Sequence, residues 1–146
     1  MRGLRTFIEL QPRERGLVLR TLLLVAAIRV ALWALPFQRL KSFIGSWNSW
    51  EHPLLSVPND MPVGCLVWAV RAASGRIPAA SCLTQSLALH CLLTRAGHRS
   101  EVRIGVTMEG GFGAHAWVEY AGQPLLSGPE EVQRYVQLLT VEGKPA

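Results

Sequence analysis

The chain has 146 residues, of which 49% are hydrophobic and 17% charged, and its net charge is +5. This composition supplies a hydrophobic core for one domain, with or without a helical extension, and excludes an intrinsically disordered chain. Six acidic and three basic residues lie in residues 101–146, whereas the excess of arginine lies before them. Because the basic residues form no continuous stripe, we expect no nucleic-acid partner and favour an acidic peptide or protein.

The first predicted element is a long apolar helix. "PRERGLVLRTLLLVAAIRVALWAL", residues 12–35, begins with a proline, has Glu14 in its first turn and is ended by Pro36. The run is long enough to cross a membrane, but Arg20 and Arg29 interrupt it about half a turn out of phase, so both cannot share one polar face. We therefore predict a helix that is buried or covered by a partner, and membrane contact is not favoured.

Two further helices are predicted after a connecting segment. Residues 37–62 predict a short amphipathic helix and then a loop with three prolines. "VGCLVWAVRAASGRIP", residues 63–78, predicts a helix that ends at its Gly and Pro. "SCLTQSLALHCLLTRAGH", residues 81–98, predicts a strong helix with Ser81 as the N-cap and Gly97 as the C′ residue.

The remainder of the chain predicts an antiparallel meander. "SEVRIGVTME" alternates as a strand, "GGFG" turns the chain, "AHAWVEY" runs back, and "AGQ" leads into "PLLSG". In the returning strand, His115, Trp117 and Glu119 share one face. Residues 130–139 predict a terminal helix. Helices followed by a meander indicate an α+β fold with segregated elements.

The three cysteines differ in their surroundings. Their odd number, without a secretory signal peptide, predicts free thiols in a cytoplasmic protein. Their spacing does not match paired zinc ligands, and we predict neither a metal nor a cofactor. Cys82 lies in the first turn of its helix, where free backbone N–H groups and the helix dipole favour a thiolate. Cys65 and Cys91 are expected in the core.

Cys82 and His115 together form the minimum set for nucleophilic acyl transfer, with the histidine on a strand that can pack against the helix. A small buried cysteine and a half-buried strand histidine are the simpler interpretations. Gln85 projects from nearly the same face as Cys82, and it is either an oxyanion donor beside the Cys82 backbone N–H or a structural cap. Trp117 either walls the cleft or packs in the core. His90 is expected at the surface.

"CLTQSLALHCLLTRAGHRSEVRIGV", followed by "AHAWVEYAGQPL", closely resembles the leader peptidases of lasso-peptide biosynthesis, which are small transglutaminase-like cysteine proteases. "AAIRVALWALPFQRLK" is also similar to the N-terminal helical portion of that family. The resemblance implies a papain-like core in residues 61–146, preceded by a helical portion and connecting loop in residues 1–60. In that core a helix carries Cys82 as the nucleophile, and an antiparallel sheet carries His115 as general base and later acid.

The resemblance also implies a substrate and partners. The substrate is a ribosomally made precursor peptide, cut between leader and core, after which a separate cyclase joins the freed core N-terminus to an acidic side chain. A leader-recognition protein holds the leader, and the cyclase is a further partner. The alternative is a catalytically silent scaffold of the same fold that bridges those two proteins. A membrane-associated helix with a small α+β head is the weaker third hypothesis.

The third catalytic residue departs from the family's pattern. The family usually has an aspartate on the strand after the histidine strand, where this chain reads "QPLLSGPEE". A three-residue turn before that strand would place Ser127 opposite His115. A two-residue turn would place Gly128 there, and Glu130 or Glu131 would then be able to fold back. Ser127 is the predicted third member, and its neutral oxygen fixes the tautomer of the ring without supplying a counter-charge.

Overall fold

The computed structural model describes residues 11–40, 42 and 56–142. Its elements, in chain order, are α1 (Pro12–Ala34), α2 (Val63–Ser74), α3 (Cys82–Arg95), β1 (Glu101–Thr107), β2 (Gly113–Tyr120), β3 (Gln123–Leu125), α4 (Pro129–Val132) and β4 (Val136–Glu142). The strands form an antiparallel sheet in the order β3-β2-β1-β4. The predicted α+β class, with helices first and a meander after them, is confirmed.

Local sequence signals set the ends of α1. The Glu14 carboxylate accepts a hydrogen bond from the Gln11 backbone N–H at 2.9 Å, so it satisfies a donor just before the first turn. At the other end Leu35 is extended, as expected for a residue that precedes a proline. Pro36 therefore ends the helix where the sequence predicted.

The caps of α3 are also those that the sequence predicts. The Ser81 hydroxyl oxygen accepts from the Thr84 N–H at 3.3 Å. Beyond the last turn Gly97 has a φ of +84°, and the His98 N–H donates to the Leu93 carbonyl at 2.8 Å. This pair of features is a Schellman motif, for which glycine is the favoured residue. Both ends of the helix that carries Cys82 are thus fixed by local chemistry.

One hydrophobic core joins the three long helices to the sheet. α1 buries one face against α2 and α3, and the core continues onto one face of the sheet. Its most buried members include Val25 and Ile28 of α1, Leu66 and Val70 of α2, Leu87, Leu89 and Leu93 of α3, Val102 of β1 and Val118 of β2. The division of the chain at residue 60 stays a prediction. Residues 37–40 and 42 are helical, as predicted, and residues 56–62 contain no helix or strand, as expected for a loop. Residue 41 and residues 43–55, which belong to the same predicted helix and loop, lie outside the described residues.

By length and composition α1 could cross a membrane, since the mean hydropathy of its most apolar window is 2.0. A third of that window is buried inside the protein, and a core helix of a soluble protein meets the same criterion. The buried third is the face that packs on α2 and α3. Length and hydropathy alone therefore do not separate a span from a partly buried helix.

The prediction of a terminal helix over residues 130–139 is wrong. The helix α4 ends at Val132, and the chain then enters β4, which pairs antiparallel with β1 from Val136 to Glu142. Pairing along the free edge of β1 satisfies the backbone groups of both strands, and this tertiary gain outweighs a weak local helical pattern. The sheet consequently has one more strand than the sequence predicted.

The expected surroundings of Cys65 and His90 are also wrong. Cys65 is exposed, because the buried face of α2 is the one that carries Leu66, Ala69 and Val70. His90 is only 1% exposed, and its Nδ1 lies 2.8 Å from the Ser100 hydroxyl oxygen. A histidine near a helix end is thus enclosed because the segment that leads into β1 folds back over it.

Burial makes His90 an acid-sensitive point of the fold. Desolvation lowers the pKa of His90 from 6.5 to about 4, so the folded state keeps the ring neutral while the unfolded chain binds a proton below pH 6.5. Stability is therefore lost as pH falls from 6.5 towards 4, by about 2 kcal/mol between pH 7.5 and pH 5. Urea unfolding followed by circular dichroism should show this loss in the wild type and a flatter profile in His90→Gln. Parallel profiles would contradict the assignment.

Candidate active site

A buried hydrogen bond attaches the cysteine-bearing helix to the histidine-bearing strand. The Ser86 hydroxyl donates to the Ala116 carbonyl at 3.1 Å. β3 pairs only with Val118–Tyr120, so Ala116 lies beyond the end of β3, where the helix takes its place beside β2. Cys82 lies one turn before Ser86 on the same face of the helix. Ser86, one turn after Cys82, is thereby bonded to the strand residue that follows His115.

Cys82 is the first residue of α3, and it is neither fully buried nor fully exposed. Ser81 caps the N–H of Thr84, whereas the N–H groups of the first residues of a helix have no partner inside it. These groups, at the positive end of the helix dipole, can hold an oxyanion beside Cys82. The predicted placement in the first turn is found.

The Gln85 side chain is engaged by the backbone at the start of α3. Its Nε2 donates to the Ala80 carbonyl at 3.1 Å, which ties the helix to the segment that enters it. This contact corresponds to the capping alternative for Gln85. The role of this amide as an oxyanion donor stays a prediction.

His115 and Ser127 lie in direct contact. The Nε2 atom of His115 is 2.7 Å from the Ser127 hydroxyl oxygen, and the imidazole side chain is only 14% exposed. The ring stacks on Trp117 at 6.2 Å between centroids, and Tyr135 packs at 5.2 Å. Because Ser127 engages Nε2, Nδ1 is the nitrogen that can face a thiol.

The turn before β3 is the shorter of the two alternatives that the sequence left open, although Ser127 still meets His115. The hairpin has a two-residue turn, Ala121–Gly122, with both residues at positive φ. Continued pairing in that register would set Gly128, not Ser127, opposite His115. However, β3 ends at Leu125, and Leu126 adopts a φ of +69°. That left-handed residue, rare for leucine, redirects the chain so that Ser127 reaches the histidine.

Gly105 of β1 makes room for the ring cluster. It pairs with His115 across the sheet, and β4 has a register irregularity beside it. A Cβ at this position would lie 2.9 Å from the Tyr135 Cβ and 3.1 Å from the Trp117 Cη2, both closer than ordinary contacts. Any larger residue would push these rings apart. A lone glycine inside a strand pattern is a sequence signal of close approach, which the sequence analysis did not use.

Trp117 is enclosed rather than cleft-lining. It is 3% exposed, packed between His115 and the glycine of β1, so it supports the histidine from the interior. Glu119, further along the same strand, is engaged elsewhere, since its Oε2 lies 3.0 Å from Arg103 Nε. The structure thus gathers His115, Trp117 and Ser127 into one cluster and leaves Glu119 out of it.

Sequence reasoning missed two residues of this arrangement. Ser86 is buried, and it lies one turn after Cys82 and one turn before His90; its place on the same helix face as the predicted nucleophile was the available signal. Tyr135 was placed in a terminal helix and instead precedes β4, where its ring meets His115. A further carboxylate, Glu131 of α4, has its Oε1 3.9 Å from His115 Nε2.

The other two thiols are differently placed. Cys91 is buried on α3, and desolvation raises the pKa of its thiol to about 12, so it stays protonated at neutral pH. Cys65 is exposed on α2. Cys82 is therefore the cysteine that combines a helix N-terminus with a tie to the histidine strand.

The chain was compared with known proteins. No curated protein and no solved structure matches it. The family model described as the transglutaminase-like superfamily matches residues 22–140, from within α1 to within β4. That superfamily includes cysteine proteases and transglutaminases, and its mixed helix and sheet architecture is the one described above. Since the match spans most of the sequence, including the cysteine helix and the whole sheet, the chain belongs to the transglutaminase-like superfamily.

Proposed function

We propose that this protein is a cytoplasmic cysteine peptidase that removes the leader from a lasso-peptide precursor. The observation that supports it most directly is the Ser86–Ala116 hydrogen bond, which joins the helix that begins at Cys82 to the strand that carries His115. The resemblance of the Cys82 and His115 segments to lasso leader peptidases gives the substrate class. The released core N-terminus is then available to a separate cyclase.

The reaction follows from the residues around Cys82. Its proton passes to Nδ1 of His115, and the thiolate attacks the scissile carbonyl, whose developing oxyanion accepts a hydrogen bond from the Cys82 backbone N–H. The imidazolium then donates its proton to the leaving amine, which is the new N-terminus of the core peptide. A water molecule, deprotonated by the same ring, hydrolyses the thioester and frees the leader. Ser127 holds the ring in the tautomer that these steps need.

The alternative is a silent scaffold, and the specific observation in its favour is a neutral serine where the family usually has an aspartate. The two functions differ in a direct test. Purified protein is incubated with a panel of lasso precursor peptides and a leader-recognition protein, and products are identified by mass spectrometry. Cleavage at the leader–core junction supports the peptidase. No cleavage of any precursor, together with no preferential iodoacetamide labelling of Cys82 below pH 8, supports the scaffold.

The solvent-facing side of α1 is the surface that we assign to the leader-recognition protein. Large apolar side chains are exposed there, among them Leu23 at 50%, Val30 at 62% and Trp33 at 83%. With Leu19 and Ala26, they recur at alternating intervals of four and three residues, the spacing of a helix–helix seam. Ala26 lies at the centre of this seam, and its small side chain allows the backbone of a partner helix to approach closely.

The charges beside this seam indicate the charge of the partner helix. Arg20 and Arg29 flank it on opposite sides, and the acidic Glu14 lies only at its start. A second copy of this helix would bring arginine against arginine, whereas a helix with acidic flanks would be attracted. We therefore assign the seam to an acid-flanked helix of the leader-recognition protein.

The seam is tested by replacing two of its aliphatic residues. Leu23→Ser with Val30→Ser should weaken binding of the leader-recognition protein more than tenfold in calorimetry, because each buried aliphatic side chain contributes roughly 1.5–3 kcal/mol. Thermal stability should change little, and detergent-free solubility should improve. The matched control is Val136→Ser with Leu138→Ser, which removes similarly exposed side chains from β4. Unchanged binding in the α1 variant, or sedimentation of the wild type with anionic vesicles, would contradict this assignment.

A further inference from the structure

Two oxygen atoms of different character face the same nitrogen of the catalytic histidine. Nε2 of His115 is 2.7 Å from the Ser127 hydroxyl and 3.9 Å from Oε1 of Glu131. The hydroxyl is within hydrogen-bond distance, and the carboxylate is within ion-pair distance. The imidazole is mostly enclosed, whereas the Glu131 side chain is 52% exposed. The Ser127 hydroxyl can therefore orient the ring by a hydrogen bond, and the Glu131 carboxylate lies close enough to attract a positive charge on it.

The fold brings Glu131 back to the histidine by a short return of the chain. After Leu126 redirects the backbone, α4 begins at Pro129, and the Glu131 N–H donates to the Gly128 carbonyl at 3.1 Å. The segment then passes Tyr135, which packs on the histidine ring. Ser127 before α4 and Tyr135 after it both contact His115, so the short segment that carries Glu131 is attached to the histidine on either side.

The charged groups around His115 can be assigned element by element. On β1, Arg103 faces Glu119 of β2 and Glu101 of its own strand, so these charges satisfy one another. α3 presents Cys82, and the segment before β4 presents the phenol of Tyr135. Within the described part of the chain, the carboxylate at ion-pair distance from His115 is that of Glu131. Glu131 and Tyr135 are thus the titratable groups in contact with His115, while Arg103 and Glu119 pair with each other and Cys82 begins the helix that packs on the histidine strand.

We propose that Glu131 is a positioning residue that provides the counter-charge of the catalytic imidazolium, while Ser127 provides its hydrogen bond. This inference rests on the proposed function. When the Cys82 proton moves to Nδ1, the ring becomes positive, its Nε2–H donates to the Ser127 oxygen, and the ionised Glu131 carboxylate attracts the charge. No proton reaches Glu131 and no bond to it forms. Ser127 and Glu131 together thus provide the hydrogen bond and the charge that a single aspartate usually provides in the resembled family.

The test uses the whole protein without any precursor. The pH titration of the His115 ring is followed by ¹³C–¹H NMR, with the signal assigned by its loss in His115→Gln. Glu131→Gln should lower the midpoint of that titration, because the variant lacks the negative charge that attracts the imidazolium. Added salt should lower the midpoint in the wild type and have little effect in Glu131→Gln.

The matched control is Glu130→Gln, which removes the same charge from the neighbouring residue of α4. Its midpoint should remain within about 0.2 pH unit of the wild type, since charge effects fall with distance and solvation. Equal midpoints in the two variants, or an equal salt response in wild type and Glu131→Gln, would overturn the role of Glu131. Circular dichroism verifies that both variants fold, as their exposed side chains predict.

Kinetics separate this inference from the proposed function. In precursor cleavage, the alkaline limb of kcat/KM should move to lower pH in Glu131→Gln and not in Glu130→Gln, because the imidazolium that protonates the leaving amine is lost earlier. A shifted NMR midpoint with no cleavage of any precursor would overturn the peptidase and leave the counter-charge standing. Normal cleavage with an unshifted midpoint would overturn the counter-charge role of Glu131 and support the peptidase.

Discussion

Replacement of Cys82 by alanine is expected to abolish release of the leader while leaving the fold intact. The proposed covalent route runs through the Cys82 thiol, so cleavage should fall by roughly 10⁴-fold or more. Alanine is a good helix former and the Ser81 cap does not depend on the thiol, so α3 should be preserved. The measurement is product formation by mass spectrometry beside thermal unfolding of both proteins.

The other two cysteines provide controls of different kinds. Cys91→Ala should retain activity and lose some stability, because it truncates a buried side chain whose raised thiol pKa keeps it protonated. Cys65→Ser should retain both activity and stability, since that side chain is exposed. Precursor processing by purified Cys82→Ala would show that the proposed mechanism is wrong, whatever the other variants do.

The elements that sequence reasoning placed correctly have their determinants close together in the chain. The Ser81 cap and the Gly97 end of α3 are separated from the helix by one residue or none, and both are found. The alternation in β2 likewise needs only neighbouring residues to put His115 and Trp117 on one face. Residue propensity and hydrophobic periodicity are sufficient to predict such elements, because the residues that fix them are neighbours in the chain.

The sequence-based predictions are wrong where a contact with a residue distant in the chain determines the local structure. Residues 136–142 have a pattern compatible with a helix or a strand, and only the unpaired edge of β1 selects the strand. His90 has the sequence context of a surface residue, but Ser100 and the chain that follows it enclose the ring. In both cases the determining contact joins segments whose relative position is a property of the whole fold.

The candidate site shows the same division. The identity of Cys82 and His115 follows from residue type and local position, whereas the packing of their helix on their strand, which includes the Ser86–Ala116 bond, is a property of the whole fold. The contact of Ser127 with His115 was predicted through a three-residue turn. The turn has two residues, and the contact exists because Leu126 leaves the strand geometry. The right residue was thus reached by a different backbone path.

A graded series at His115 and Ser127 is the second large effect that we expect. His115→Ala should lower kcat/KM by at least about a hundredfold, because the proposed mechanism uses the His115 ring to transfer the proton to the leaving amine. Ser127→Ala should lower kcat/KM by only about 2- to 13-fold, since one neutral hydrogen bond contributes roughly 0.5–1.5 kcal/mol. The measurement is kcat/KM for precursor cleavage with the leader-recognition protein present.

The informative member of the series is Ser127→Asp. Ser127 already lies 2.7 Å from Nε2, so an aspartate there would combine hydrogen bond and charge in one side chain, and the rate should equal or exceed that of the wild type. It should also make Glu131 dispensable, so that adding Glu131→Gln to Ser127→Asp costs less than it does in the wild type. If Ser127→Asp is inactive and Ser127→Ala is fully active, Ser127 does not orient the His115 ring. The orienting role would then fall to the carboxylates of α4, with Glu131 the first to test because its oxygen already faces the histidine.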